Sequence, residues 1–178
     1  MKQFIINRFE FLPLSVFLVY ALWNGEPSLD RWRIAFEISA VAALIHLVAI
    51  LTQKKPVNRL ILAVNFYLML GGLAVVSKQW WFLEMYNYFR ATSILFLMAV
   101  IGFITTYFTK TGYIGILDVD KGKTKGFSLY LLIITIICLV ISHSFRENTF
   151  LAGIVPFIIV VNSQIYLKRT LAKYETEQ

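Results

Sequence analysis

Long apolar runs alternate with short polar segments along the chain, and this alternation predicts its secondary structure. Most runs hold about 18 residues, which is the length that spans the hydrocarbon core of a bilayer as a helix. Charged residues, glycine or proline separate one run from the next. We predict six membrane-spanning helices, at residues 4–23, 34–51, 60–77, 91–108, 127–144 and 150–166.

The first apolar run also has the length of a secretory signal peptide. No small-x-small cleavage site follows it, and the next residues form a polar turn with Gly25 and Pro27. We therefore interpret it as a span. The predicted fold class is an all-α polytopic membrane protein, a bundle of about six transmembrane helices, or five if the first run does not cross. Connections between the runs are too short for a separate soluble domain, so residues 1–178 are predicted to form one domain.

Composition agrees with the hydrophobic pattern. Hydrophobic residues make up 58% of the chain and charged residues 15%, and the mean hydropathy is +0.70. These values exclude an ordinary soluble domain. Cys138 is the only cysteine and lies within an apolar run, so disulfides within the chain are excluded and a buried, inert thiol is expected.

The basic residues are distributed unequally between the two sides of the predicted bundle. The chain has 17 Lys and Arg against 10 Asp and Glu. Twelve of the 17 lie in the two termini and in the segments 52–59 and 110–126, and the other five lie in the remaining connections. The positive-inside rule then places both termini in the cytoplasm. Because these charges flank membrane spans, we expect anionic lipid headgroups as their partners and no nucleic acid.

An aromatic segment, KQWWFLEMYNYFRA at residues 78–91, joins the third and fourth spans. It contains six aromatic residues and three charges, the composition of a membrane-water interface. All four tryptophans of the chain fall at the predicted outer boundary. We interpret this segment as an aromatic turn that anchors a transmembrane hairpin.

Several polar side chains lie within the predicted spans. Glu37 follows Arg33 by four residues, a spacing that favours a local ion pair near the membrane boundary. His46 lies about 18 Å along the helix from residue 34, where the predicted span begins, because each residue adds about 1.5 Å. This places it near the middle of the membrane. An ionisable residue there is a candidate functional site, but the sequence favours a structural role, in which a neutral histidine is hydrogen-bonded to a neighbouring helix. The candidate intramembrane polar or pocket residues are His46, Asn65, Arg90, Asn162 and Gln164.

Small residues mark two candidate packing faces. Ala35, Ser39 and Ala43 recur every four residues, which places them on one face of the second span. Gly71 and Gly72 are adjacent in the third span. Both sets permit close approach of another helix, and the glycine pair could alternatively serve as a hinge.

The segment 110–126 is the longest connection and resembles two ligand-binding motifs. Gly122-Lys123-Thr124 resembles the end of a phosphate-binding loop, but Leu117 stands where that motif requires glycine. Asp118-x-Asp120-x-Gly122 resembles a calcium loop, but Leu129 stands where its terminal glutamate is required. We predict a solvated basic loop near anionic lipid.

Catalytic chemistry has little support in this sequence. Hydrolysis or group transfer requires a nucleophile with a base, or a metal held by several histidines and carboxylates. The chain has two histidines and no acidic cluster in its spans. We predict no catalytic residues, no cofactor and no metal, and therefore no enzyme.

Several motifs occur together in about the first two thirds of the chain. They are Met1-Lys2-Gln3-Phe4, Phe11-Leu12-Pro13-Leu14, the basic turn before the third span, and Gly71-Gly72 followed by the aromatic segment. In these features the chain resembles the bacterial intracellular septation protein A family, also called inner membrane-spanning septation proteins. It differs from the family in a few residues, including Glu10, that are inserted before FLPL, and in Arg90-Ala91-Thr92, which replaces a Lys-Pro-Thr typical of the family.

This resemblance implies a bacterial inner-membrane protein connected with septation and envelope synthesis, and it brings no catalytic residues. The leading hypothesis is a non-enzymatic protein that acts through helix-helix contacts with envelope or division membrane proteins or with itself. The alternative is a transporter or substrate-binding subunit for a small molecule or lipid, with a midplane pocket lined by His46, Asn65, Asn162 and Gln164.

Overall fold

A computed structural model describes residues 11–22, 28–52, 57–117 and 119–176 of this protein. Within these ranges every regular element is a helix. The elements are α1 (Leu12–Leu22), α2 (Leu29–Leu51), α3 (Arg59–Val76), α4 (Trp80–Phe89), α5 (Ala91–Phe108), α6 (Lys121–Ser144), a π-helical turn (Phe150–Ile154) and α7 (Val155–Thr176).

In the described part of the chain, five helices are long and apolar enough to cross a membrane: α2, α3, α5, α6 and the continuous helix formed by the π-helical turn and α7. The prediction of an all-α polytopic membrane protein is therefore confirmed. α1 is a shorter apolar helix of 11 residues. It lies within the predicted first span, whose first seven residues, 4–10, and last residue, Trp23, are outside the described part of the chain.

Capping residues explain why two helices begin before the predicted spans. α2 begins at Leu29, earlier than the predicted residue 34, because the Ser28 side chain accepts a hydrogen bond from the Arg31 N–H. α6 begins at Lys121, earlier than residue 127, because Asp120 caps the Lys123 N–H. α7 continues to Thr176, well beyond the predicted residue 166. By contrast, α5 coincides with its predicted span.

The predicted aromatic turn is a helix, α4. Lys78 has a positive φ of 58° and donates its N–H to the Val75 carbonyl, while the Gln79 N–H reaches the Ala74 carbonyl. These two bonds form a Schellman motif, which ends α3. α4 starts directly afterwards and buries Phe82, Leu83 and Tyr86 on one face.

Pro156 follows the π-helical turn by two residues. The N–H of Val155 bonds the carbonyl of Phe150, five residues earlier. Proline has no N–H to continue the regular ladder, and a π-helical turn is a common way for a helix to accommodate that interruption.

The chain folds into two compact units. Unit 1 contains α1, α2, α3 from Ile61 onward, and α4 to Tyr88. Unit 2 contains residues 57–60 and everything from Phe89 onward, which includes α5, α6, the π-helical turn and α7.

Candidate functional site

Unit 1 contains a buried polar pair formed by two of the predicted candidates. His46 on α2 is 8% exposed and Asn65 on α3 is 1% exposed. The side-chain Nδ2 of Asn65 lies 2.9 Å from Nδ1 of His46. The amide donates this bond when the imidazole is neutral with its proton on Nε2. The carboxamide oxygen of Asn65 has no donor among the described residues.

The small-residue face of α2 points into unit 1. Ala35, Ser39 and Ala43 are fully buried there, and the Ser39 hydroxyl donates to the Phe36 carbonyl at 3.4 Å. His46 continues the same buried face. This face is therefore occupied by contacts within the unit.

Gly71 and Gly72 lie where α3 approaches α2 most closely. A Cβ at Gly71 would overlap the ring of Phe36, and a Cβ at Gly72 would overlap the Cβ of Ala40 and lie 3.2 Å from the Phe36 carbonyl oxygen. Both glycines are buried. In this structure their role is close packing of two helices.

Among the described residues of unit 1, six aromatic side chains pack together in the core, a cluster that the sequence pattern did not predict. Neighbouring ring centroids lie 4.8–6.2 Å apart, most of them tilted or edge-on. The spacing of Phe82, Leu83 and Tyr86 was the available signal, since it is typical of one face of a helix. The six residues are Phe17, Trp32, Phe36, Tyr67, Phe82 and Tyr86.

Among the described residues, three ion pairs lie at the predicted outer boundary: Arg33–Glu37, Arg90–Glu147 and Arg146–Glu147. The predicted pair of Arg33 and Glu37 is confirmed, with Nε 3.3 Å from Oε1. In unit 2, Arg90 donates to the carbonyl of Arg146 at 3.4 Å and lies 3.7 Å from the largely exposed carboxylate of Glu147. Arg90 adopts a positive φ of 49°, which turns the chain between α4 and α5. Its guanidinium is thus engaged within unit 2.

The other two candidates, both on α7 in unit 2, have different environments. Asn162 is exposed and donates to the carbonyl of Ile158 on its own helix at 2.9 Å. Gln164 is 2% exposed, and its amide nitrogen has no acceptor among the described residues. Asn162 therefore presents its polar group to its own backbone, and only Gln164 is directed into the interior of unit 2.

The segment TGYIG, Thr111–Gly115, is packed inside unit 2, which contradicts the prediction of a solvated loop over 110–126. Tyr113 and Ile114 are fully buried, and the Ser128 hydroxyl of α6 accepts the Ile114 N–H at 3.2 Å. Gly112 and Gly115 both have positive φ, a conformation that side chains disfavour. The two glycines around two apolar residues were the signal available in the sequence.

Tyr113 lies between α5 and α6. Gly102 of α5 leaves room for its ring, since a Cβ at Gly102 would come within 2.7 Å of it, and its hydroxyl lies 3.4 Å from the Thr135 hydroxyl of α6. Burial raises the pKa of the Tyr113 phenol, so the ring stays neutral. Irregular backbone beside membrane helices requires such enclosure by protein.

Among the described residues, no group of three or more His, Cys, Asp or Glu side chains could hold a metal ion. Cys138 is buried with a free thiol, as predicted. Comparison of the chain with family models, curated proteins and solved structures finds no match. The resemblance to the septation family therefore stays a prediction.

The His46–Asn65 pair predicts an energetic coupling between α2 and α3. In a double-mutant cycle of His46→Leu and Asn65→Leu, measured by SDS-induced unfolding in mixed micelles, we expect a coupling of about 0.6–2 kcal/mol. Asn162→Leu is the matched control and should change the free energy of unfolding little, because Asn162 bonds only its own helix. Additive effects of the two unit 1 substitutions would contradict a direct bond.

Proposed function

We propose that this chain is a multi-pass protein of the bacterial inner membrane that supports septation or envelope synthesis through contacts with other membrane proteins. It acts without catalysis, and both termini lie in the cytoplasm. The observation that carries the proposal is the two-sided character of α4. One face supplies Phe82 and Tyr86 to the aromatic cluster, and the other leaves Trp80, Trp81 and Tyr88 exposed.

Exposed aromatic side chains of this kind suit two roles. Tryptophan and tyrosine anchor a protein at the membrane-water interface, and they also dominate the energetics of protein interfaces. Because one face of α4 packs into the aromatic cluster of unit 1, the orientation of its exposed face is fixed. The small-residue faces at Ala35, Ser39, Ala43, Gly71 and Gly72 are used within unit 1, so α4 replaces them as the proposed contact surface.

Binding of a small molecule or lipid is the second candidate function. It is favoured by the buried carboxamide oxygen of Asn65, which has no donor in the described part of the chain. A polar group left without a partner in an apolar interior costs free energy that a bound ligand with a donor would recover.

Site-specific photocross-linking in living cells tests the proposed contacts. With benzoyl-phenylalanine at Trp81 or Tyr88, we expect discrete cross-linked products that contain proteins of the division or envelope-synthesis machinery. The same probe at Phe96, exposed on α5, serves as the control and should give none. Recovery of the chain alone, or only of a second copy of it, from the Trp81 and Tyr88 variants would contradict the proposal, as would normal cell length after depletion.

A further inference from the structure

Arg59, the first residue of α3, carries a positive charge that no carboxylate of the described residues balances. Its Nη2 donates to the Thr111 hydroxyl at 3.1 Å. Its Nε is buried and has no acceptor among the described residues, and no Asp or Glu of the described ranges pairs with it. A guanidinium has five N–H donors and stays charged in proteins, and the buried Nε–H is one of these donors that no acceptor among the described residues satisfies.

The position of Arg59 makes this unpaired charge unfavourable by itself. The N-terminal end of a helix carries partial positive charge, which repels a cation and attracts an anion. The side chain is also partly buried, and withdrawal of a charge from water costs free energy unless an opposite charge or hydrogen bonds replace the solvent. One hydroxyl oxygen is a weak replacement.

A second hydroxyl, that of Thr124, lies near the TGYIG segment in unit 2. A Cβ at Gly115 would lie 4.0 Å from Arg59 Cγ, and a Cβ at Gly112 would lie 3.2 Å from Thr124 Cγ2. Thr124 is 2% exposed, and its hydroxyl has no partner among the described residues. The TGYIG segment thus bonds Arg59 through the Thr111 hydroxyl and packs beside Thr124 at Gly112.

Lysines add positive charge next to this group. Lys121, Lys123 and Lys125 lie in the first turns of α6, which follows the connection that contains the TGYIG segment. The one described carboxylate of this connection, that of Asp120, is exposed and caps the Lys123 N–H. With Asp118 and Asp120 both counted against Arg59, Lys121, Lys123 and Lys125, this part of the sequence still has a net positive charge, which favours an anionic ligand.

The geometry points to a binding site for a phosphate group, held by the Arg59 guanidinium together with the hydroxyls of Thr111 and Thr124. Arginine binds phosphate through parallel N–H bonds in a geometry that lysine does not provide. The site lies where α3 begins and α5 ends, at the ends of two helices that are long and apolar enough to span a membrane, and on the side predicted to carry most of the basic residues. An anionic phospholipid supplies this group from the membrane, and free phosphate would supply it from solution.

The test uses the full-length protein purified in detergent, with lipid retention measured by native mass spectrometry and stability by thermal unfolding. We expect dioleoyl phosphatidylglycerol to be retained and to raise the unfolding temperature, and Arg59→Gln to weaken its apparent affinity about tenfold or more. Arg169→Gln is the matched control, since it removes an exposed arginine of the same predicted side. It should leave retention unchanged.

Three further arms decide the source and the mode of binding. If inorganic phosphate without lipid stabilises the parent protein but not Arg59→Gln, free phosphate is the ligand. If only the lipid stabilises the parent protein, the lipid headgroup is the ligand. Arg59→Lys, which keeps the charge if Arg59→Gln fails to fold, should still lose several-fold in affinity. The proposal would be overturned if Arg59→Lys retained the lipid as well as the parent protein does. It would also be overturned if lipid or phosphate stabilised Arg59→Gln as much as the parent protein. The proposal would also be overturned if adding Asp118→Asn restored the stability of the Arg59→Gln variant, because the Asp118 carboxylate would then be the counter-charge of Arg59.

Discussion

Replacement of Gly71 by alanine is expected to destabilise the protein by about 2 kcal/mol or more. The new Cβ would overlap the ring of Phe36. That ring cannot swing aside, because it is held by Phe17 at 4.8 Å and by Tyr86 at 5.1 Å between ring centroids. The gain in helix propensity from glycine to alanine is only about 1 kcal/mol, so the steric cost dominates. The measurement is SDS-induced unfolding in mixed micelles.

The same substitution at Gly126 should have the opposite sign. Gly126 lies in α6, and nothing comes within 4 Å of a Cβ built there. Gly126→Ala should therefore be neutral or stabilising by up to about 1 kcal/mol. Phe36→Leu should recover part of the loss caused by Gly71→Ala, because a smaller side chain frees the space. If Gly71→Ala unfolds like the parent protein, α3 and α2 do not approach as closely as described.

Replacement of Tyr113 by alanine is expected to cost about 3–5 kcal/mol, the usual range for removal of a buried aromatic ring. Tyr113 is fully buried and fills the space that Gly102 leaves on α5. Its loss would leave a cavity between α5 and α6 and expose the irregular backbone of the TGYIG segment. Tyr113→Phe should cost about 1 kcal/mol, because it removes only the contact with the Thr135 hydroxyl.

Tyr130→Ala is the control for Tyr113→Ala. Tyr130 lies on the same helix as Thr135 but is 65% exposed, so its removal should change the unfolding free energy by less than about 1 kcal/mol. Limited proteolysis provides a second measurement, since Tyr113→Ala should make the connection between α5 and α6 a cleavage site. A solvated loop, as the sequence predicted, would instead give equal and small effects for Tyr113→Ala and Tyr130→Ala.

Local sequence patterns predicted the features that depend on neighbours along the chain. The ion pair of Arg33 and Glu37 follows from a spacing of four residues on one helix, and the bounds of α5 follow from one uninterrupted apolar run. The start of α6 was predicted wrongly although its signal is equally local. Asp120 is a common capping residue, but Gly122 and Gly126, which are poor helix formers, and the lysines between them favoured a loop interpretation.

The candidate site was predictable only in part. The depth of His46 in α2 could be calculated from helix geometry, because each residue advances the chain by 1.5 Å. Its partner Asn65 could not, because the residue of α3 that meets His46 depends on the rotation and axial offset of two helices. The same limit applies to Arg59 and Thr111, which are more than fifty residues apart.

The sequence by itself determined that this is a helical membrane protein and where most of its long helices lie, because transfer of an apolar run into lipid depends on that run alone. Only the tertiary structure decided which side chains are enclosed. It turned an interfacial aromatic segment into α4, with two of its six rings, Phe82 and Tyr86, in the core of unit 1, and it folded a polar connection into unit 2 around Tyr113. Burial in these places is set by neighbours distant in sequence, since packing fills volume that no single segment encloses.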